Sequence, residues 1–505
     1  MALDLRCFNC FDSCRESDQV DDMSIDKETV LKDLDEHMSA MNKDPDARRV
    51  LIIYTGGTFG NKEIVDEDGN RSLQPMQGPE FFACLSGAHP MLSTLVDVTP
   101  PLNAALCVPP NVTERLFYTS LPTTIDSTEA MPDLWGNLAV LIATNQKLFD
   151  GFVVIQGTNT MYYTAAALSF LLSGLLRTVV VTGSQNPLLC HQTDATMNLI
   201  GAIHACLDIP HNSRATQPLA TNPRQLIGVF LYFHFKLMLG SRCVKADSQN
   251  LDAFLSPNMG VVGRSKPSLL LKSGNVYDMA MVRKLLDEHV EVHNLRKKHA
   301  ENDFYGDDTE YYRNFRDDET NGPLRLLPVS YNKKYDNWLM PFNPEARVRV
   351  SVVRLAPGIQ YYCNEMIEDL RRSNGIVLEA YGAGSVPGGV AAALKILREE
   401  HNIPVAIITE CIGSGVASDY DVAVPTDAGV NCHDMTAGCA YTRMYIYLAI
   451  LNLMSPTITG EGEESHHSRA ARRQRIEQIM ATPYLQCFTD PLDDFALDRL
   501  VVQAR

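Results

Sequence analysis

The sequence is poor in several features that would assign a function class at once. Its longest apolar run, Ala165–Leu176, is interrupted by Ser169 and by Ser173-Gly174. That run falls short of the roughly 20 apolar residues a membrane-spanning helix needs. The opening residues, MALDLRCFNCFDSC, lack the apolar core of a secretory leader, so none is expected. Positive charge is also scarce: 44 Lys and Arg stand against 61 Asp and Glu, for a net charge of −17. This balance argues against nonspecific binding to nucleic acid or an anionic membrane and leaves small substrates open. The 13 cysteines are odd in number and follow no framework spacing, which suits a reducing, cytoplasmic setting. No His, Cys, Asp or Glu cluster has metal-ligand spacing, and no G-x-S-x-G elbow is present. The segment YGAGSVPGG reads G-x-G-x-x-x-G, which is not the dinucleotide spacing. Neither a metal nor a cofactor is expected.

What is present is ordinary globular material. With 505 residues, 45% of them hydrophobic, the chain has enough apolar surface for two or three domains. Near its start, Cys7, Cys10 and Cys14 sit beside Phe8 and Phe11. A reduced, disordered terminus, lipidation and a metal site remain open for that cluster, although a metal would want a fourth ligand.

Residues 1–47 read as disordered apart from a short amphipathic helix over 26–42, where Val30, Leu31, Leu34, Met38 and Met41 recur at helical spacing. From 48 to 282 the pattern becomes strand, turn, helix. RVLIIY runs into TGGTFG, GFVVI into QGTNT and a helix, and TVVV into TGSQNP before the helical TDATMNLIGAIHACL; LIGVFLYF is a further buried strand. Such continuous β-branched runs alternating with helices specify a mostly parallel sheet covered on both faces. Residues 283–345 break the pattern with eight acidic residues between Glu301 and Glu319 and read as a linker with an acidic insertion. A second, smaller block over 346–455 carries the strands RVSVVRL, GIVLEAY and PVAIIT and two helices. A tail, 456–505, follows GEGEE with a basic stretch that reads as a solvated helix. The expected fold class is therefore α/β, a larger N-terminal parallel-sheet domain with a smaller C-terminal α/β domain. Ligands belong at the carboxyl ends of the first block's strands, where turns aim backbone N–H groups into the crevice.

Three turns at those ends carry hydroxyls. YTGGTFG supplies Thr55 and Thr58 around Gly56 and Gly57; QGTNT supplies Thr158, Asn159 and Thr160; TGSQNP supplies Thr182, Ser184 and Gln185. A threonine hydroxyl needs a neighbouring base before it is a useful nucleophile. Lys245, in GSRCVKADSQNLDAF, is the best base candidate, either because it is partly removed from water or because Arg242 lies close. Gly-rich turns after strands are also routine punctuation in α/β proteins, and a lysine is usually a solvated charge.

The order of the segments VLIIYTGGTFG, FVVIQGTNTM, VVVTGSQNPL with TDATMNL, GSRCVKADSQNLDAFLSPN, and ECIGSGVASDYD with HDMT resembles the cytosolic, type I L-asparaginases, the animal members above all. The resemblance runs from about Arg48 to Met454, interrupted by the acidic insertion. It implies hydrolysis of a side-chain amide such as that of L-asparagine through an acyl-enzyme. Thr58 matches the primary nucleophile, and Thr158 the second threonine, activated by the lysine that Lys245 matches. Ser127 and Thr128 match contacts to the substrate's α-carboxylate. The backbone N–H groups of the first turn, at Gly57, help hold that carboxylate or the oxyanion. Tyr420 matches a tyrosine brought from the second domain, while Leu73 lies near the place of the usual mobile-loop tyrosine. The family is homo-oligomeric, and a homo-oligomer is expected.

Two positions depart from the family pattern. Where it reads H-G-T-D-T, this chain reads Gln156-Gly157-Thr158-Asn159-Thr160. The missing aspartate pairs with the substrate ammonium and supports the lysine–threonine pair. Asn159 keeps an acceptor oxygen, carries no charge and adds donors. Where the family reads G-x-G-N, a residue that frames a neighbouring subunit's site, this chain has Gly382-Ala383-Gly384-Ser385. Three readings follow: an amidohydrolase slow on asparagine or of altered specificity, an impaired member that binds a metabolite or protein, and a structural component.

Overall fold

The computed structural model describes residues 48–271, 348–454 and 466–481, apart from 67, 101–105, 107, 109–111, 147, 173–174, 176, 208–225, 227, 266–268, 414 and 417–426. The cysteine cluster, the expected N-terminal helix and the acidic insertion lie outside the described residues.

In chain order the first unit has strands β1 (Val50–Tyr54), β2 (Asn61–Val65), β3 (Arg71–Pro75), β4 (Val96–Asp97), β5 (Leu116–Ser120), β6 (Gly151–Ile155), β7 (Thr178–Thr182), β8 (Gly228–Phe233), β9 (Lys236–Leu239), β10 (Val244–Lys245), β11 (Phe254–Leu255), β12 (Gly263–Ser265) and β13 (Leu269–Leu271). A nine-stranded sheet has the order β13-β12-β9-β8-β7-β6-β1-β5-β4. From β4 to β8 every pairing is parallel, as the β-branched runs require. β1, β6 and β7 are buried along their whole length because helices cover both faces.

The far edge differs from the expected parallel pattern: β9, β12 and β13 join by antiparallel pairings. The reversal between β8 and β9 is made by His234 and Phe235, both at positive φ (45° and 62°). Tight hairpins need that conformation and usually mark it with Asn or Gly, so YFHFKL carries no turn signal in its composition. Asn198 Oδ1 accepts from His234 N at 3.0 Å and holds the turn.

The second unit has β14 (Val350–Arg354), β15 (Gly375–Ala380), β16 (Val405–Thr409) and β17 (Val430–Asn431), a parallel sheet in that order. Its long helix, Ala437–Met454, packs on the helix Met161–Leu171 that follows the QGTNT turn. The contact is aromatic and close. Tyr163 meets Tyr441 edge-on at 5.9 Å between ring centres, and Trp135, from the neighbouring helix Pro132–Asn145, meets Tyr445 edge-on at 5.8 Å. A Cβ on Gly438 would lie 2.6 Å from the Tyr162 ring. This helix is mostly apolar because it is packed between the two units, and its Thr442 and Arg443 are buried with it.

The tail helix, His466–Ala481, is docked and not fully solvated. Ile476 and Met480, one turn apart, are both 0% exposed. Glu477 takes Arg398 in a two-pronged pair at 2.7 and 2.9 Å. Burying each apolar side chain is worth about 1.5–3 kcal/mol, whereas a buried ion pair roughly breaks even. The apolar pair therefore decides the docking, and the surrounding arginines hide it in the sequence.

No described helix is long and apolar enough to cross a membrane. A second ionic contact joins the two units near the candidate base. Arg242 is 2% exposed, and its Nη1 lies 2.8 Å from Asp434 Oδ1. Asp434 O also accepts from Arg242 Nη1 and from Asn258 Nδ2, at 3.3 and 2.7 Å. Removing one partner of a buried pair leaves a desolvated charge, so Asp434→Ala should lower stability by about 3 kcal/mol. Urea denaturation of the two proteins measures this, and a difference under about 1 kcal/mol would show that the pair does not join the units.

Candidate active site

The first two hydroxyl-bearing turns are in contact because their strands are neighbours. β1 and β6 pair in register with Tyr54 opposite Ile155. Thr55 donates to Ile155 O through both its backbone N and its Oγ1, each at 3.0 Å. Thr55 is thus a buried structural hydroxyl. The turns beyond approach more closely than any side chain would permit. A Cβ on Gly57 would stand 2.3 Å from Gly157 Cα, and one on Gly157 would stand 2.5 Å from Ser127 Oγ. Gly57 also has φ of 86°, a conformation that favours glycine. Thr58 follows directly, half-buried, at the head of a short 3-10 turn, Thr58–Gly60.

Ser127 ties the second turn down. Its Oγ accepts from Asn159 N at 3.3 Å, and its carbonyl accepts from Thr160 Oγ1 at 2.8 Å. Ser127 is itself buried, whereas Thr128 is exposed and donates its hydroxyl to Asp126 Oδ1 at 2.8 Å. Of this pair, Ser127 faces the turns in the resting arrangement.

Lys245 reaches the QGTNT turn from the hairpin of β10 and β11. Its Nζ donates to Thr158 Oγ1 at 2.8 Å and to Asn159 Oδ1 at 3.0 Å. Partial burial pushes the Lys245 ammonium below the ordinary lysine value. Arg242 takes no part in that shift, since its guanidinium is turned to Asp434. Of the two sources for a basic lysine read from the sequence, the structure supports desolvation alone.

The third turn supplies an element the sequence did not distinguish. Gln185 Nε2 donates to Asn250 O at 3.1 Å, which leaves Oε1 facing Thr158 Oγ1 at 3.2 Å. Thr158 therefore donates its proton to Gln185 and accepts from Lys245. Gln185 is set by Asp194, buried and 7% exposed. Its carboxylate accepts from the backbone N–H groups of Gln185 and Asn186 and from Asn198 Nδ2 at 2.9–3.1 Å. The signal for Asp194 was its place just before a helix, which reads equally as an ordinary cap.

An ammonium only donates, so Asn159 must turn its oxygen toward Lys245 and its Nδ2 away from it. That Nδ2 has no hydrogen-bond partner among the described residues, and Asn159 is exposed. No described carboxylate pairs with Lys245, and no described group of His, Cys, Asp and Glu could hold a metal ion. Among the described residues the site brings together two hydroxyl-bearing turns and one cation, with no carboxylate paired to that cation.

One sequence-derived position has no hydrogen bond to this cluster among the described residues. Ser385 closes a turn after β15, pairing with Tyr381, and its hydrogen bonds stay within that turn. Tyr420 lies outside the described residues.

Comparison with known proteins gives this arrangement a family. Residues 49–274 match the model of the Asparaginase, N-terminal domain, and residues 349–452 match that of the Glutaminase/Asparaginase C-terminal domain. L-asparaginase 1 of Escherichia coli K12 is 38% identical over 216 residues, 42% of this chain and 52% of that protein. The 60 kDa lysophospholipase of Homo sapiens is 32% identical over 410 residues, 79% of this chain and 57% of that protein. The chain thus spans little more than half the length of these relatives. Among solved structures, L-asparaginase I of Vibrio cholerae aligns with a TM-score of 0.53 at 23% identity, covering 83% of this chain and 99% of that one. The thermostable L-asparaginase of Thermococcus kodakarensis aligns with a TM-score of 0.52 at 21% identity, over 87% and 98%. At such identities these two structures speak for the fold alone. With the N- and C-terminal domain models matched in order along one chain, this protein belongs to the asparaginase family.

Proposed function

We propose that this protein hydrolyses a side-chain carboxamide through a threonine acyl-enzyme and is slow on L-asparagine itself. The observation that carries the reading is Lys245 Nζ at 2.8 Å from Thr158 Oγ1, in a turn that touches the one bearing Thr58. Thr58 Oγ1 attacks the amide carbonyl; the C–O bond forms, the C–N bond breaks, and the hydroxyl proton leaves on ammonia. Water then adds to the ester, the Thr58–acyl bond breaks, the acid departs and Thr58 regains its proton. On L-asparagine the products are L-aspartate and ammonia.

Thr158 and Lys245 manage the proton in this scheme. Once Lys245 is neutral, the Thr158 hydroxyl turns from Gln185 to Lys245, and its oxygen is then free to take the Thr58 proton. Backbone N–H groups at Gly57 and Thr58 hold the carbonyl oxygen or a carboxylate. Ser127 contributes directly, and Thr128 does so only after leaving Asp126. Ser385 and Tyr420 are proposed to complete the site from the second domain within a homo-oligomer. Support for the family chemistry comes from relatives that bear the name L-asparaginase. Relatives named lysophospholipase and amidotransferase subunit leave the carbonyl substrate class wider than one amino acid. A second reading, a binding protein without turnover, is favoured by Asn159, which leaves Lys245 without a carboxylate partner among the described residues.

Replacing the attacking hydroxyl should remove the chemistry and spare the fold. Thr58→Ala should lower ammonia release by about 10³-fold or more with an unchanged melting temperature; unchanged release would end the nucleophile assignment. The pH profile gives an independent check. Burial disfavours the Lys245 ammonium, so neutral lysine accumulates at lower pH than usual and activity should rise along a limb placed below the ordinary lysine value. Asn159→Asp adds a carboxylate, favours the ammonium and should move that limb upward. A limb that stays in place would show that Lys245 is not the titrating base.

A further inference from the structure

The unpartnered donor at Asn159 says what the site prefers to bind. Three features give the space beside Thr158 a single electrostatic character. Lys245 donates to Thr158 and Asn159 and pairs with no described carboxylate. The Nδ2 of Asn159, turned away from Lys245, presents two N–H groups with no partner among the described residues. The helix Met161–Leu171 begins immediately after the turn, so its positive N-terminal end lies next to Asn159 in the chain. All three are hydrogen-bond donors or positive ends. A ligand in contact with this turn therefore meets donors where an α-amino acid would offer another donor, its ammonium.

We infer that the site selects carboxamides that carry a hydrogen-bond acceptor, such as a hydroxyl or carbonyl, where L-asparagine carries its ammonium. This inference rests on the hydrolase reading above and names its substrate class. An ammonium beside Lys245 and the Asn159 N–H pair would add a like charge and leave donors facing donors. A hydroxyl of the same size accepts from Asn159 Nδ2 and adds no charge. The selectivity comes from a single exposed side chain whose backbone N–H is already held by Ser127. The amide-to-carboxylate change at this position is isosteric, so it should invert the preference without moving the turn.

L-malate and L-aspartate differ only by hydroxyl in place of ammonium, and neither can be hydrolysed. Isothermal calorimetry on this chain should show L-malate binding at least about 10-fold tighter than L-aspartate, the combined scale of one neutral hydrogen bond gained and one like charge avoided. In Asn159→Asp, shown to melt at the same temperature as wild type, the order should reverse. In parallel, ammonia release from the monoamide of L-malate should exceed that from L-asparagine. L-aspartate binding as tightly as L-malate, no binding of either at millimolar concentration, or an order unchanged in Asn159→Asp would each overturn the inference. The two readings fail separately. If L-malate is preferred but neither amide is hydrolysed, the hydrolase reading falls and the selectivity stands. If asparagine is the better substrate and aspartate the tighter ligand, the selectivity falls and the hydrolase stands.

Discussion

Two glycines in contact set the dimensions of this site. With β1 and β6 paired in register, the residues beyond their carboxyl ends must pass each other, and only Gly57 against Gly157 lets them do so. Everything with a reactive side chain is placed relative to that contact. Thr58 follows one glycine and Thr158 the other, and Ser127 packs against the second closely enough that a methyl group there would collide with its hydroxyl. The sheet supplies the register, and the glycines turn it into a close approach of the two turns that carry Thr58 and Thr158.

On this frame the electrostatics are set by side chains that come from elsewhere. Lys245 arrives from a separate hairpin and loses water as it reaches Thr158, which is what pushes its ammonium below the usual value. The other cation nearby in the chain, Arg242, is spent on Asp434 and helps to join the two units. Two positive groups three residues apart thus have opposite duties. One is buried and paired with Asp434, and the other donates to Thr158 and Asn159 with no carboxylate partner among the described residues. Gln185 adds a constraint on timing, because Thr158 is committed to donating to it while Lys245 remains charged.

Much of this was legible in the sequence, for reasons that can be stated. Continuous runs such as VLIIY and TVVVT have one stable use, a strand covered on both faces, so the parallel half of the large sheet followed from composition. Thr58, Thr158 and Lys245 stood out because their segments follow a recognisable order. The antiparallel edge did not, since its turn is made by His234 and Phe235, neither of which marks a reversal. The tail helix reads as solvated in the sequence because Ile476 and Met480 are a sparse apolar pair inside a basic stretch, whose charge masks the face that docks. Gln185 was visible as a turn residue, but its direction depends on Asn250 and Asp194, which come together only in three dimensions.

Geometry and charge are separable at position 159, and that separation governs how the site can vary. Asn159 contributes to the architecture through its backbone N–H, bonded to Ser127, while its side chain is exposed and hydrogen-bonds only to Lys245 among the described residues. A change between carboxylate and amide there alters neither the glycine contact nor the strand register, because none of those contacts passes through the side chain. The same change elsewhere in the cluster would not be so cheap: Asp194 is buried with its oxygens engaged by backbone donors, and losing an acceptor there would release Gln185 and with it Thr158. Charge can therefore be changed at this exposed residue while the glycine contact and the strand register stay as they are. A chain that keeps Thr58, Thr158 and Lys245 yet carries asparagine at 159 differs from the family pattern at a side chain on which none of those contacts depends.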